Sequence, residues 1–279
     1  MRWAISLLIV LAFAPSALAG DFDLLRGSIP VGYPSYTNWS GFYVGGQVGY
    51  SNENDDFSGA TTPLVASSLI ETTLEADAAP SQWPVLGRGS SSGAGFGGFA
   101  GYNSQWSNVI LGIEANYTHS SITVTASQAP ISDRLIYIGS SEYSVNVAGT
   151  GTLTVTDYGS LRARAGYILG DFLPYGFVGF VLGNGNYAIT SQVYGQVSSA
   201  TPTSLPCAPL SNTCVDYNFA NSAVRNDTLM YGFSAGGGLD YSVTQNIFLR
   251  GEFEYVQFAS VANVVASIIT ARVGAGFRF

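Results

Sequence analysis

Apolar and polar residues alternate with a period of two in segment after segment of this 279-residue chain. Successive residues of a β-strand point to opposite faces, so each such segment makes a ribbon with one apolar side. The C-terminal segment shows it most plainly. Ile269, Ala271, Val273, Ala275, Phe277 and Phe279 share one face; Thr270, Arg272, Gly274, Gly276 and Arg278 share the other. Comparable alternation recurs at 40–50, 94–103, 109–117, 158–167, 229–241 and 247–256. An eighth segment, 173–183, is almost continuously apolar, and pattern alone does not assign its faces.

The non-apolar faces decide the architecture. A soluble sheet would cover them with Lys and Glu. Here they carry mostly Gly, Ser and Tyr, the chain has no lysine, and only 10% of its residues are charged, against about 25% in typical soluble domains. The apolar faces therefore look outward to lipid and the small or paired polar faces inward to a narrow lumen. Only a closed barrel puts strands in lipid without an unpaired backbone edge. The sequence predicts an all-β, eight-stranded antiparallel up-and-down transmembrane β-barrel over residues 39–279. No segment after the N-terminal one has 18 consecutive apolar residues, so helical spans are excluded. The chain is too apolar and aromatic for disorder, and too poor in Leu, Lys and Glu for a helical bundle. A net charge of −8 removes any electrostatic case for nucleic acid.

Residues 1–19 read as a secretory signal peptide: Arg2, an apolar core from Ala4 to Ala14, and Ala17-Leu18-Ala19 as the cleavage site. Residues 20–38 read as a periplasmic lead-in, with folding back into the lumen as the alternative. Cys207 and Cys214, in a Pro/Ser/Asn-rich stretch of an exported chain, are expected to form a local disulfide.

Short connections at 104–108, 170–171 and 244–246 alternate with long ones at 51–92, 120–152, 185–227 and 259–267. Short periplasmic turns and long extracellular loops are the pattern of outer-membrane barrels. Tyr50, Tyr102, Tyr117, Tyr167, Tyr175, Tyr241 and Tyr255 lie near strand ends, where an aromatic girdle sits. Ile122 with Val124, and Tyr187 with Ile189 and Val193, extend the alternation beyond the span, so strands are expected to protrude from the outer leaflet. The loop at 51–92 holds Glu53, Asp55, Asp56, Glu71, Glu75 and Asp77 against Arg88 and reads as a solvated acidic surface.

Four motifs carry a family resemblance: Trp39-Ser40-Gly41-Phe42-Tyr43-Val44-Gly45-Gly46 opening the first strand, Leu161-Arg162-Ala163-Arg164-Ala165-Gly166-Tyr167 before a turn, Leu173-Pro174-Tyr175 after it, and the terminal Gly276-Phe277-Arg278-Phe279. In this order they resemble the small eight-stranded outer-membrane β-barrel proteins of alphaproteobacteria, often called outer-membrane immunogenic or porin-family barrels. Leu25-Arg26-Gly27-Ser28 is similar to the lead-in of some members. The resemblance implies the outer membrane of a Gram-negative bacterium, a structural or porin-like role and, in some members, haem or host-surface binding. Phe277 and Phe279 also resemble the terminal signature read by the outer-membrane assembly machinery.

Nine charged residues project to the inferred lumen: Glu114, Arg162, Arg164, Asp240, Arg250, Glu252, Glu254, Arg272 and Arg278. Unpaired charges there are costly, so mutual pairing into a plug is expected; a narrow hydrated path set by the same charges is the alternative. Gly93-Ala94-Gly95-Phe96-Gly97-Gly98 matches G-x-G-x-x-G without its βαβ context and reads as barrel wall. His119 and Ser121 share the lipid-facing side at the extracellular end of their strand, with Asp133 or Glu142 as a distant carboxylate. This weakly resembles outer-membrane lipid A deacylases, but girdle is the simpler reading. No catalytic, cofactor or metal residues are expected. The expected protein is a monomer with lipid, lipopolysaccharide and the assembly machinery as partners. Its role is structural and surface-exposed with at most a small pore; a diffusion porin and a surface receptor for haem or a host ligand are the alternatives.

Overall fold

A computed structural model describes residues 37–198 and 214–279. The expectations for residues 1–19, for most of 20–38 and for Cys207 lie outside the described residues. Nine strands are present among those described: β1 (Gly41–Asp56), β2 (Arg88–Trp106), β3 (Val109–Ser127), β4 (Ile131–Ile138), β5 (Ser141–Tyr167), β6 (Phe172–Ser198), β7 (Cys214–Ser242), β8 (Ile247–Phe258) and β9 (Val265–Arg278). Eight of them close a ring in the order β1-β2-β3-β5-β6-β7-β8-β9, with β9 returning to β1 from Tyr43–Arg278 to Asp56–Val265. Every pairing is antiparallel. The ninth, β4, adds to β5 above the ring, where β3 has ended.

Across the lower barrel the apolar faces look outward. Phe42, Val48, Ile113, Leu161, Phe180, Phe233 and Val273 are each at least half exposed and form the lipid-facing band. The unassigned run 173–183 resolves into Leu173, Tyr175, Phe177 and Val181 facing in, with Val178, Phe180 and Leu182 facing out. Tyr175 is therefore not in the girdle: it stands at the inward parity of β6 with Leu173, Phe177 and Val181 and is buried in the lumen. Tyr50, Tyr102, Tyr117, Tyr167 and Tyr241 are exposed on the outside.

Strands run far beyond the span. β5 and β6 each have 27 residues, roughly 90 Å of chain at about 3.3 Å per residue, against an apolar band about 25 Å tall. Much of what the sequence assigned to loops at 120–152 and 185–227 is strand. Above the membrane the inner face becomes apolar: Ile122, Val124, Leu153, Val155, Ile189 and Ile268 are all buried. On β3, β8 and β9 the apolar positions change parity along an unbroken inward face, and on β6 the inward positions stay apolar while the large outward ones end at Leu182. On β5 a register shift at Val155/Asp157 turns the strand instead. On β7 a shift opposite Gly185/Tyr187, with Asp227 at φ 52, does the same.

The segment 51–92 is not a solvated acidic loop. β1 continues to Asp56 and β2 begins at Arg88, and the residues between fold into a cap. Helix α1 (Thr62–Ser68) starts with a proline in its first turn, a position where the missing N–H costs nothing. Helix α2 (Thr73–Ala78) is capped by Thr72, whose side chain accepts from the Glu75 N–H at 3.2 Å. Phe57, Ala60, Leu64 and Leu86 join the apolar core of the upper barrel, and Val65, Leu69, Leu74 and Val85 pack on Val145, Val147 and Val193 of β5 and β6. Glu53 and Asp55 are fully buried. Alternation puts them on the inner face of β1, and the cap then covers that face.

Candidate functional site in the barrel lumen

The strands place all nine predicted lumen charges inward, each at most 5% exposed. Eight of them form one network of four arginines and four carboxylates. Arg162 and Arg164 stand two apart on β5, so both reach the lumen. Arg162 gives one guanidinium nitrogen to Glu252 at 2.8 Å, another to Glu254 at 2.7 Å, and its Nε to Ser160 at 2.8 Å. Arg164 reaches across to Asp240 at 2.8 Å and to Glu114 at 3.2 Å. Arg250 holds Asp240 through Nε at 2.8 Å and Glu114 at 2.7 Å. Arg272 pairs with Glu252 at 3.4 Å and with Glu254, and donates to Asn116 at 3.0 Å. Glu114 is the hub, accepting from Arg164, Arg250 and the Tyr43 hydroxyl and lying 3.5 Å from Arg162. Equal numbers of each sign, with guanidinium forks matched to carboxylates, are what low-dielectric burial demands.

Aromatic rings fill the space between the charges, and sequence reasoning did not find them. The Arg162, Arg164 and Arg250 guanidiniums lie 4.4, 3.8 and 4.0 Å from the ring centres of Phe177, Tyr175 and Phe99. Tyr175 also donates its hydroxyl to Glu252 at 2.8 Å. Glycines make room for these rings. A β-carbon on Gly45 would collide with the Phe99 ring, and one on Gly236 with the Phe177 ring. The signal was readable at Phe99 and Phe248, large apolar residues standing at inward parity among glycines and arginines.

Arg278 stands apart. It has no carboxylate partner among the described residues; it donates to the Asn38 carbonyl at 3.0 Å, Ser242 Oγ at 2.9 Å and the Gln245 carbonyl at 3.0 Å, and lies 4.1 Å from the Trp39 ring. Trp39, Tyr43, Phe99, Ile110, Leu173 and Phe248 form an apolar layer there, at the periplasmic end. Above the charges, Gln47 and Asn116 exchange bonds at 2.9 and 3.3 Å, and Ser51 meets Thr270 at 2.8 Å. From the periplasm upward the lumen thus holds an apolar layer, a charge layer, a neutral polar layer, the upper apolar core and the cap.

The Asp133 side chain lies outside the described residues, and His119 does not pair with Glu142. Its Nδ1 lies 2.7 Å from Asp157, which also accepts from the Tyr117 hydroxyl at 2.6 Å, while Glu142 accepts from Tyr137 at 3.0 Å. Cross-strand pairing of His119 with Asp157 on β5 explains the choice. No group of three or more potential metal ligands occurs among the described residues.

A closed ring of eight strands, apolar outside and charged within, defines a transmembrane β-barrel of the bacterial outer membrane. The chain belongs to the outer membrane protein beta-barrel domain family, whose model matches residues 5–279. It is similar along its whole length to the 31 kDa outer-membrane immunogenic protein of Brucella melitensis biotype 1, at 26% identity over 295 residues covering all of both chains. The 25 kDa outer-membrane immunogenic protein of Brucella ovis is 23% identical over 286 residues, again covering both chains. A 22 kDa outer membrane protein of Rhizobium leguminosarum bv. viciae is 24% identical over 60% of this chain and 54% of its own. Among solved structures, neisserial surface protein A superposes at a TM-score of 0.34 and 12% identity, covering 86% of this chain and 98% of that one. The expected family and outer-membrane location agree with these findings.

Proposed function

We propose that the protein is a structural, surface-exposed, non-catalytic barrel whose lumen does not conduct, and whose extracellular strands and cap form a rigid platform above the membrane. The observation that carries this reading is the charge layer: eight fully buried charged side chains span the lumen and are bonded to one another or to lumen neighbours. A diffusion porin needs a continuous water path, and the periplasmic apolar layer and the upper core stand in series with the charges. The test is solute uptake by proteoliposomes holding the refolded chain. Small sugars enter no faster than into protein-free vesicles; entry proportional to protein content and graded by solute size overturns the proposal in favour of a porin.

A further inference from the structure

Glu53 and Asp55 take no part in the charge layer. They lie above it, past Tyr50, where the outward residues of β1 change from Phe42, Val48 and Tyr50 to Asn52, Asn54 and Asp56. Both are at most 1% exposed, and none of their four carboxylate oxygens has a hydrogen-bond partner among the described residues. An ionised pair left this way in an apolar interior is strongly disfavoured. Their cross-strand partners on the same face are Ile268 and Ala266 of β9 and Ser91 and Gly89 of β2. Ile268 and Ala266 belong to the apolar cluster that the cap completes with Phe57, Ala60, Leu64 and Leu86.

Among the described residues no cation faces them. Arg88, beside them on β2, is exposed and bonds the outward Asp56 at 3.0 Å. Arg272 of β9, below, is held by Glu252 and Glu254. Across the lumen, β3 presents Val124 and Ala126, and β8 presents Val256 and Phe258. β5 presents Tyr158, whose hydroxyl lies 3.4 Å from Thr270, and β6 places Tyr187 at the rim. The cap's own acids are Glu71 and Asp77, both exposed, and Glu75, which accepts from Ser81.

We propose that Glu53 and Asp55 form a proton-operated latch beneath the cap: protonated, they let the cap seat on the upper barrel; ionised, they loosen it. Burial pushes Asp55 up to about 7 and Glu53, with Asp55 beside it, up to about 9. The seated state then holds more protons than the loosened one. Closure is complete near the ordinary carboxylate range and is lost as pH rises through about 7 and then 9.

The test is hydrogen–deuterium exchange of the full refolded barrel, corrected for intrinsic rates, at about pH 5 and about pH 9. Protection of residues 57–87 should fall at least about tenfold between the two, while β8 and β9 within the membrane stay constant. Glu53→Gln with Asp55→Asn should keep the cap protected at both. Equal cap protection at both pH values in the wild type, or the same fall in the double variant, overturns the latch. So does loosening of the cap at pH 9 only after a chelator is added, which would mean the acids hold a cation. Should the double variant fail to assemble, the wild type decides alone: a protonated-carboxyl infrared band at pH 6 that disappears by pH 10 is expected, and its absence at pH 6 overturns the proposal.

Discussion

Arg162 shows what a buried charge requires of its neighbours. Its two terminal nitrogens satisfy two different glutamates and its Nε satisfies Ser160. Arg162→Ala leaves Glu252 and Glu254 undercompensated, and removal of one partner from such a site costs about 3–5 kcal/mol. Urea unfolding in detergent should show a loss of that size, and Arg162→Lys should recover little of it, since an ammonium lacks the planar fork. Gly45 makes a complementary point about space. Gly45→Val should abolish the heat-modifiable gel shift of the folded barrel, and adding Phe99→Ala should not restore it, because a β-carbon there meets the Ala275 backbone carbonyl as well as the Phe99 ring. The charged members of this site were legible in sequence because alternation assigns each a face. Tyr175 and Phe177 were not, because their run is apolar on both faces, and partners such as Glu114 for Arg250 lie 136 residues apart.

Among the elements, the change of apolar parity marks where β3, β8 and β9 leave the membrane. On β9 the apolar residues face out at Val273 and Phe277 but in at Ile268 and Ala266. On β3 they face out at Leu111 and Ile113 but in at Ile122 and Val124. An arginine placed outward within the band costs about 2–4 kcal/mol at the bilayer midplane and little near the interface. Val273→Arg should therefore lower stability in lipid by about that amount, and Asn52→Arg should be nearly neutral. Equal effects of the two would place the membrane boundary elsewhere. The sequence already contains these parity changes, but it was the continued alternation at Ile122 with Val124, and at Tyr187 with Ile189 and Val193, that foretold the protruding strands. It did not foretell the cap. Thr61-Thr62-Pro63 and the Thr72/Glu75 pair are helix-start signals, but short helices earn their place only by packing on strands distant in the chain. Acidic residues between strands suggested water, and Glu53 and Asp55 are instead covered.

At the scale of the molecule, one chain builds two differently filled compartments in a single barrel wall. Within the membrane the wall turns its apolar face to lipid and fills the lumen with balanced charge and aromatic rings. Above it, the wall turns its apolar face inward and closes over a cap. Phe277 and Phe279, stacked edge-on with ring centres 5.2 Å apart, point outward at the end of the closing strand. We propose that they are read during assembly: deleting Phe279 should reduce the folded fraction in cell envelopes without lowering its thermal stability once refolded in detergent.

The central claim, that the layered filling of the lumen blocks conduction, is tested most directly by single-channel recording in planar bilayers with wild type and the Arg162→Ala/Arg164→Ala variant side by side. The account predicts no resolvable steps for the wild type and none for the variant, because the apolar layer below the charges and the core above them still close the path. Steady, well-resolved conductance through the wild-type barrel would contradict it.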